Sequence, residues 1–272
     1  MDFTLATYQN LLQSLLNRGF TFQPFAEYLE RPEEKAVILR HDVDKLPGNA
    51  LQMARMEHRL GIRGSYYFRV VKESWDEGII RQVAGMGHEI GYHYEDLSLC
   101  RGEHGEAIRH FEEQLKRFRE IVEVKTICMH GSPLSRYDNR DLWKDYNYRD
   151  YKIIGEPYFD LDFSRVFYLT DTGRRWDGGK VSVRDKVAGS KQYAVRSKQE
   201  VGALKTRSTK DIIRAVEEGR LPWPLMITIH PQRWTNRPLP WLHELLWQNT
   251  KNLIKKHLVR IKQRQNHKNH DN

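Results

Sequence analysis

No stretch of the 272-residue sequence approaches the run of about 18 apolar residues that a membrane-spanning helix requires. The first residues, Met1 to Arg18, have no basic start, continuous apolar middle or small-residue cleavage site, so a secretory signal is not expected and the reading is cytoplasmic. Cysteine is scarce. Cys100 and Cys128 are far apart and form no C-x-x-C pair, which excludes a disulfide framework and a cysteine-based zinc motif and fits reduced thiols in the cytosol. Hydrophobic residues make up 39% and charged residues 30%, ordinary for a globular chain, and the length suits one large core, so residues 1–272 are read as one domain.

The formal charge of +9 raises the question of nucleic acid, but no nucleic-acid-binding motif accompanies it. Much of the excess falls at Lys251, Lys255, Lys256, Arg260, Lys262, Arg264 and Lys268, which reads as a solvated helix face followed by a disordered basic tail over 264–272. No nucleic-acid partner is therefore expected, and only a weak attraction to acidic membrane surfaces or anionic glycan precursors remains. Oligomeric state is not legible.

What the sequence does hold is an alternation of apolar runs and helical patterns. Leu5, Tyr8, Leu11, Leu12, Leu15 and Leu16 lie at helical spacing and stop at Gly19, and residues 1–35 are read as a helical extension packed on the outside. Strands are predicted at Ala36–Leu39, Ser65–Phe68, His88–Tyr92, Thr126–Met129, Lys152–Ile154, Val166–Leu169 and Leu225–Ile229. Helices are predicted between them, including an amphipathic one over Glu106–Val122, one capped by Ser208 with Asp211, and a last one over Trp241–Ile261. Such alternation implies parallel strands joined by right-handed crossovers: an α/β fold, an irregular seven-stranded (β/α) barrel. In barrels the chemistry collects where strands end. Asp42 and Asp44 follow the first of these strands, His93 and Glu95 the third, His130 the fourth, Asp171 the sixth and His230 the last.

Four runs, Arg40-His-Asp-Val-Asp44, Gly87-His-Glu-Ile-Gly-Tyr-His93, Met129-His-Gly-Ser-Pro133 and Thr228-Ile-His-Pro231, resemble the ordered motifs of the polysaccharide deacetylase superfamily, relatives of carbohydrate esterase family 4, in the branch with H-D-V-D in its first motif. The resemblance covers roughly residues 37 to 234. It implies a distorted seven-stranded barrel and a divalent metal, zinc or a similar first-row ion, held by one Asp and two His. It makes Asp42 the general base, moves the metal-binding carboxylate to Asp44 because Val43 stands where the second Asp usually does, and makes His93 a ligand and His230 the general acid. The family's second motif histidine is missing, since Leu97 stands in its place. Its replacement is left between His130, which preserves an imidazole, and Glu95, which adds a second carboxylate; His130 is preferred, with Glu95 supporting it.

The run Asp171-Thr-Gly-Arg-Arg-Trp-Asp177 lies where the family has residues that orient the acid histidine and wall the pocket. Asp171, Trp176 and, beyond the last strand, Trp234 are expected to orient His230 or face substrate, and Arg174 or Arg175 to take an anionic group. The implied function is metal-dependent cleavage of an amide C–N bond, de-N-acetylation of an amino sugar in an intracellular glycan or glycan precursor. The alternatives are a catalytically degenerate glycan-binding barrel and a deformylase-like hydrolase of another linear amide.

Overall fold

The structure, a computed structural model, describes residues 1–131, 135–176 and 206–250. Its centre is β2, Ala36–Val43, whose eight residues are all buried. The apolar run ends at Leu39, yet the strand continues through Arg40, His41 and Asp42 because the polar side chains find partners inside the fold. Around it stand β3, Ser65–Phe68, β4, Glu89–Tyr94, β5, Ile127–Met129, β6, Phe167–Thr170, and β7, Leu225–Ile229.

All pairings are parallel, in the order β5-β4-β3-β2-β7-β6, and the sheet curls into a half-barrel covered by helices. A further short strand, β1 at Thr21–Gln23, pairs with Ala36, Val37 and Ile38. Since Val37 and Ile38 also pair with β7 while β3 pairs only with residues 40–43, β1 takes the β3 side of β2 before β3 begins. The N-terminal segment is thus more than a helical extension: it contributes a strand as well as α1, Leu5–Asn17, and α2, Phe25–Glu30. α1 ends before Gly19, which takes φ +73°, as a C-terminal glycine cap requires.

The strand expected at Lys152–Ile154 does not form. Residues 148–151 are a short 3-10 turn, Lys152 takes the left-handed conformation at φ +57°, and only an isolated bridge between Thr126 and Gly155 follows. Ile153 is buried, so the apolar signal marked core contact rather than pairing. The helix Thr209–Glu217 has the expected Ser208–Asp211 capping box. Of the last predicted helix, residues 238–250 are helical; its remainder, the 264–272 tail, the Ser132–Pro133 part of the third motif and Asp177 lie outside the described residues.

Side-chain alternation gives the sheet two different faces. Outside, Val37, Leu39 and Val43 pack under α1 and under α3, Pro47–Arg59, and Tyr66, Ile90 and Tyr92 under α4, Glu77–Gly85, and α6, His104–Arg119. Inside, Ile38, Tyr67, Cys128 and Met226 form a smaller apolar floor. Gly91 on β4 makes room for this floor, because a Cβ there would lie 2.3 Å from the Tyr67 ring.

A buried polar knot ties the outer layer to the sheet. Glu57 of α3 accepts hydrogen bonds from Tyr8 (2.7 Å) and Tyr66 (2.9 Å), and His41 Nε2 lies 2.9 Å from it. The His41 ring stacks on Tyr66 with centroids 3.9 Å apart. Replacing Glu57 with Ala removes the buried acceptor shared by Tyr8 and Tyr66 and leaves Tyr8 only its 3.1 Å contact with His41; the expected loss is about 3 kcal/mol, read as a lower urea midpoint.

Glu156 provides a pH-dependent counterpart. Burial pushes its carboxyl from an ordinary 4.5 up to about 7, although it accepts hydrogen bonds from the backbone N–H groups of Met129 and Tyr158. Between these values the unfolded chain has released the proton and the folded chain retains it, so stability falls as pH rises through the window. At about 1.4 kcal/mol per unit, the stability of the native protein relative to Glu156→Gln should drop by on the order of 3 kcal/mol across that window, measured by urea unfolding at each pH. A constant difference between the two would show that Glu156 is not the group titrating.

Candidate metal centre

The polar residues of the inner face gather where the strands end. Asp42 is the penultimate residue of β2 and Asp44 lies just beyond it, so both carboxylates reach the same mouth. Asp42 is 4% exposed and held by both arms of the Arg40 guanidinium, at 2.7 Å from Nε and 2.6 Å from Nη2. Burial would push its carboxyl up, but the Arg40 charge and hydrogen bonds, with His93 and His230 nearby, hold it below the ordinary range. Asp42 is therefore ionised and oriented by its neighbour two positions back on the same strand.

Asp44 has the complementary arrangement. One oxygen, Oδ2, accepts from Gln232 at 2.8 Å. The other, Oδ1, is buried without a hydrogen-bond partner among the described residues and faces His93 Nε2 at 3.5 Å and His130 Nε2 at 3.6 Å. Burial again raises the carboxyl, and the imidazoles of His93, His130 and His230 outweigh it, keeping Asp44 well below its usual value.

Both histidines are fixed from behind. His93 sits in β4 in register with Cys128 of β5, and its Nδ1 donates to the Cys128 carbonyl at 2.9 Å. His130 follows β5, and its Nδ1 lies 2.9 Å from Glu95 Oε2. Glu95 is itself anchored by Arg69 at 2.7 Å, and the His130 carbonyl accepts from Asn139 at 2.8 Å. With Nδ1 engaged on an acceptor in each ring, Nε2 is the nitrogen turned to Asp44 and the one a cation would take as its ligand atom. Asp44, His93 and His130 bring one ligand atom each to within 4.8 Å of one another, a group that can hold a metal ion. An acid and two imidazoles form the donor set of a first-row ion such as zinc with positions left open, and the orphaned Asp44 oxygen is the atom such a cation would satisfy.

A second group, Asp42, His93 and Cys128, meets the same distance limit. It shares His93, and both Asp42 oxygens already accept from Arg40, so its donors are less available.

No family model matches this chain, and comparison with curated proteins finds no match.

The remaining predicted residues divide into two sets. Asp171, after β6, is fully buried and gathers four donors: the His230 backbone N–H (2.9 Å), His230 Nδ1 (2.6 Å), Arg233 Nη1 (2.6 Å) and Trp234 Nε1 (2.8 Å). Burial raises the Asp171 carboxyl, and the Arg233 and His230 charges more than offset this. His230, after β7, thereby has its ring orientation set, and Trp234 acts through Asp171 rather than on a ligand.

Arg174 and Trp176 do not face the site. The Arg174 guanidinium donates to the Trp241 carbonyl at 2.9 Å and lies over the Trp241 and Phe3 rings, and Trp176 donates to Thr209 within the core around Phe3 and Trp234. The expectation that they bind an anion or stack on a sugar is corrected: both are consumed by packing the N-terminal segment and the last described helix. Leu97 is buried in the core and supplies no ligand atom.

Arg40, Arg69, Gln232 and Arg233 were not singled out from sequence. Arg40 stands two residues before Asp42 on the same strand, and Arg69 follows β3, so the reasoning that found the histidines after strands reaches both.

The two shells predict unequal losses. His130→Ala should abolish tight zinc binding, while Glu95→Gln should weaken it by roughly 10- to 100-fold, as read by competition with a chromogenic chelator. Retained zinc in His130→Ala together with its loss in Glu95→Gln would reverse the ligand assignment.

Proposed function

We propose that this chain is a metal-dependent hydrolase of amide C–N bonds that removes the acetyl group from an amino sugar, on a barrel of the polysaccharide deacetylase type. The observation that carries the reading is the Asp44 oxygen that has no hydrogen-bond partner among the described residues and lies between two imidazoles whose other nitrogens are already engaged. Asp42, Asp44, His93, His130 and His230, taken from the four runs that resemble that superfamily, lie at or just beyond the carboxyl ends of β2, β4, β5 and β7, and the resemblance suggests the reaction type.

Asp44, His93 and His130 would hold the ion. A divalent first-row ion held there would supply Lewis acidity toward an amide carbonyl and a water molecule. Asp42 is placed to take a proton from the attacking water. Its bond to Arg40 keeps it ionised and aimed, and its Oδ2 lies 3.9 Å from His93 Nε2, close to the same spot. His230 is the acid. Donation from its Nδ1 to Asp171 fixes the ring and leaves Nε2 to pass a proton to the departing nitrogen. Acetate and the free amine leave. The substrate is read as a glycan or glycan precursor that carries an N-acetylated amino sugar.

The test separates the base from the ion. Asp42→Asn should retain zinc yet release acetate from N-acetylglucosamine oligomers at least about 100-fold more slowly than the native protein, because the amide cannot accept the water proton. An active Asp42→Asn protein would place the base elsewhere. Native protein that binds zinc and the oligomers but releases no acetate would favour a glycan-binding barrel.

A further inference from the structure

The helix over residues 238–250 is turned inside out. Its buried positions include Glu244 and Gln248, one turn apart, with Gln248 donating to Glu244 at 2.6 Å and Glu244 lying 3.8 Å from Lys45. Arg174 fastens the start of the helix through the Trp241 carbonyl. Leu239, Leu242 and Leu246, spaced i, i+3 and i+7 along one stripe, are 78%, 48% and 60% exposed. A helix serving only the fold would turn that stripe inward.

The sequence that follows holds no acidic residue before Asp271, while Lys251, Lys255, Lys256, Arg260, Lys262, Arg264 and Lys268 are basic. The two features together select among partners. A nucleic acid or an acidic protein segment would use the cations but gain little from three exposed leucines. A second copy of the chain would bury the leucines but bring two clusters of like charge together. An anionic bilayer surface uses both, taking the leucines at the acyl boundary and the lysines at the headgroups.

We propose that this helix docks the protein on an anionic membrane surface through Leu239, Leu242 and Leu246. The opposite, polar side of the helix, through Glu244 and Lys45, packs toward the turn that carries Asp44, which leaves the leucine stripe free to face outward.

Co-sedimentation of the full chain with lipid vesicles tests this without reference to catalysis. With phosphatidylcholine vesicles containing about 30% phosphatidylglycerol in about 0.1 M salt, binding should be at least roughly tenfold tighter than to phosphatidylcholine alone. Leu242→Asp combined with Leu246→Asp should weaken binding to the anionic vesicles by at least about tenfold while the thermal melt is unchanged. Leu239→Asp, at the most exposed of the three positions, serves the same purpose if the double variant does not fold. Three outcomes overturn the proposal: no binding of native protein to anionic vesicles, equal binding of native and variant proteins, or a native dimer that the leucine substitutions convert to monomer without native binding to vesicles.

Discussion

Asp42 and Asp44 must both remain ionised at the end of a strand whose eight residues are buried, and most of the surrounding architecture follows from that requirement. Charge in such a place is strongly penalised unless it is paired. The chain meets the requirement in two ways. Asp42 receives a permanent cation from its own strand, Arg40, which satisfies both oxygens and fixes the carboxylate in one plane. Asp44 receives an amide on one oxygen and two imidazoles facing the other, so it is compensated only in part by the protein. That inequality separates the proposed roles: the saturated carboxylate is left to exchange a proton, and the unsaturated one to hold a cation.

The same strand carries a second polar system on its opposite face. His41 points away from the mouth into the Glu57 knot, while Arg40 and Asp42 point inward, as alternation along a strand requires. β2 is therefore polar on both faces near its carboxyl end. Glu57, Tyr8 and Tyr66 hold the outer face at His41, the residue between Arg40 and Asp42.

The fold was legible in the sequence wherever burial and pairing coincide. The apolar runs at Ser65–Phe68 and Leu225–Ile229 are both buried and paired, and both are strands. Burial without pairing misled at Ile153, and pairing without an apolar run hid both the three-residue β1 and the continuation of β2 through Arg40, His41 and Asp42. At the mouth, side chains were legible when strand ends alone placed them, as for Asp42, Asp44, His93, His130 and His230. Arg174 and Trp176 were not, because their direction is decided by packing against Phe3 and Trp241, residues more than 60 positions away in sequence. No local pattern encodes such a contact.

Leu97 and His130 show how the sheet rather than a helix places the third side chain of the candidate site. Leu97 belongs to the short helix after β4 and faces the core, a position where an imidazole would have to be buried and would need a partner. His130 approaches from the end of the neighbouring strand, where its backbone N–H is already bonded to the Tyr94 carbonyl and its position is set by the sheet rather than by a helix. A candidate ligand at a strand end needs an acceptor behind its ring to fix the tautomer. Glu95 stands one residue beyond β4 and meets that demand, with Arg69 from the end of β3 holding Glu95 in turn. Three adjacent strands thus each contribute one member of a chain running from Arg69 through Glu95 to His130, and the aim of His130 at Asp44 depends on the parallel register of β3, β4 and β5.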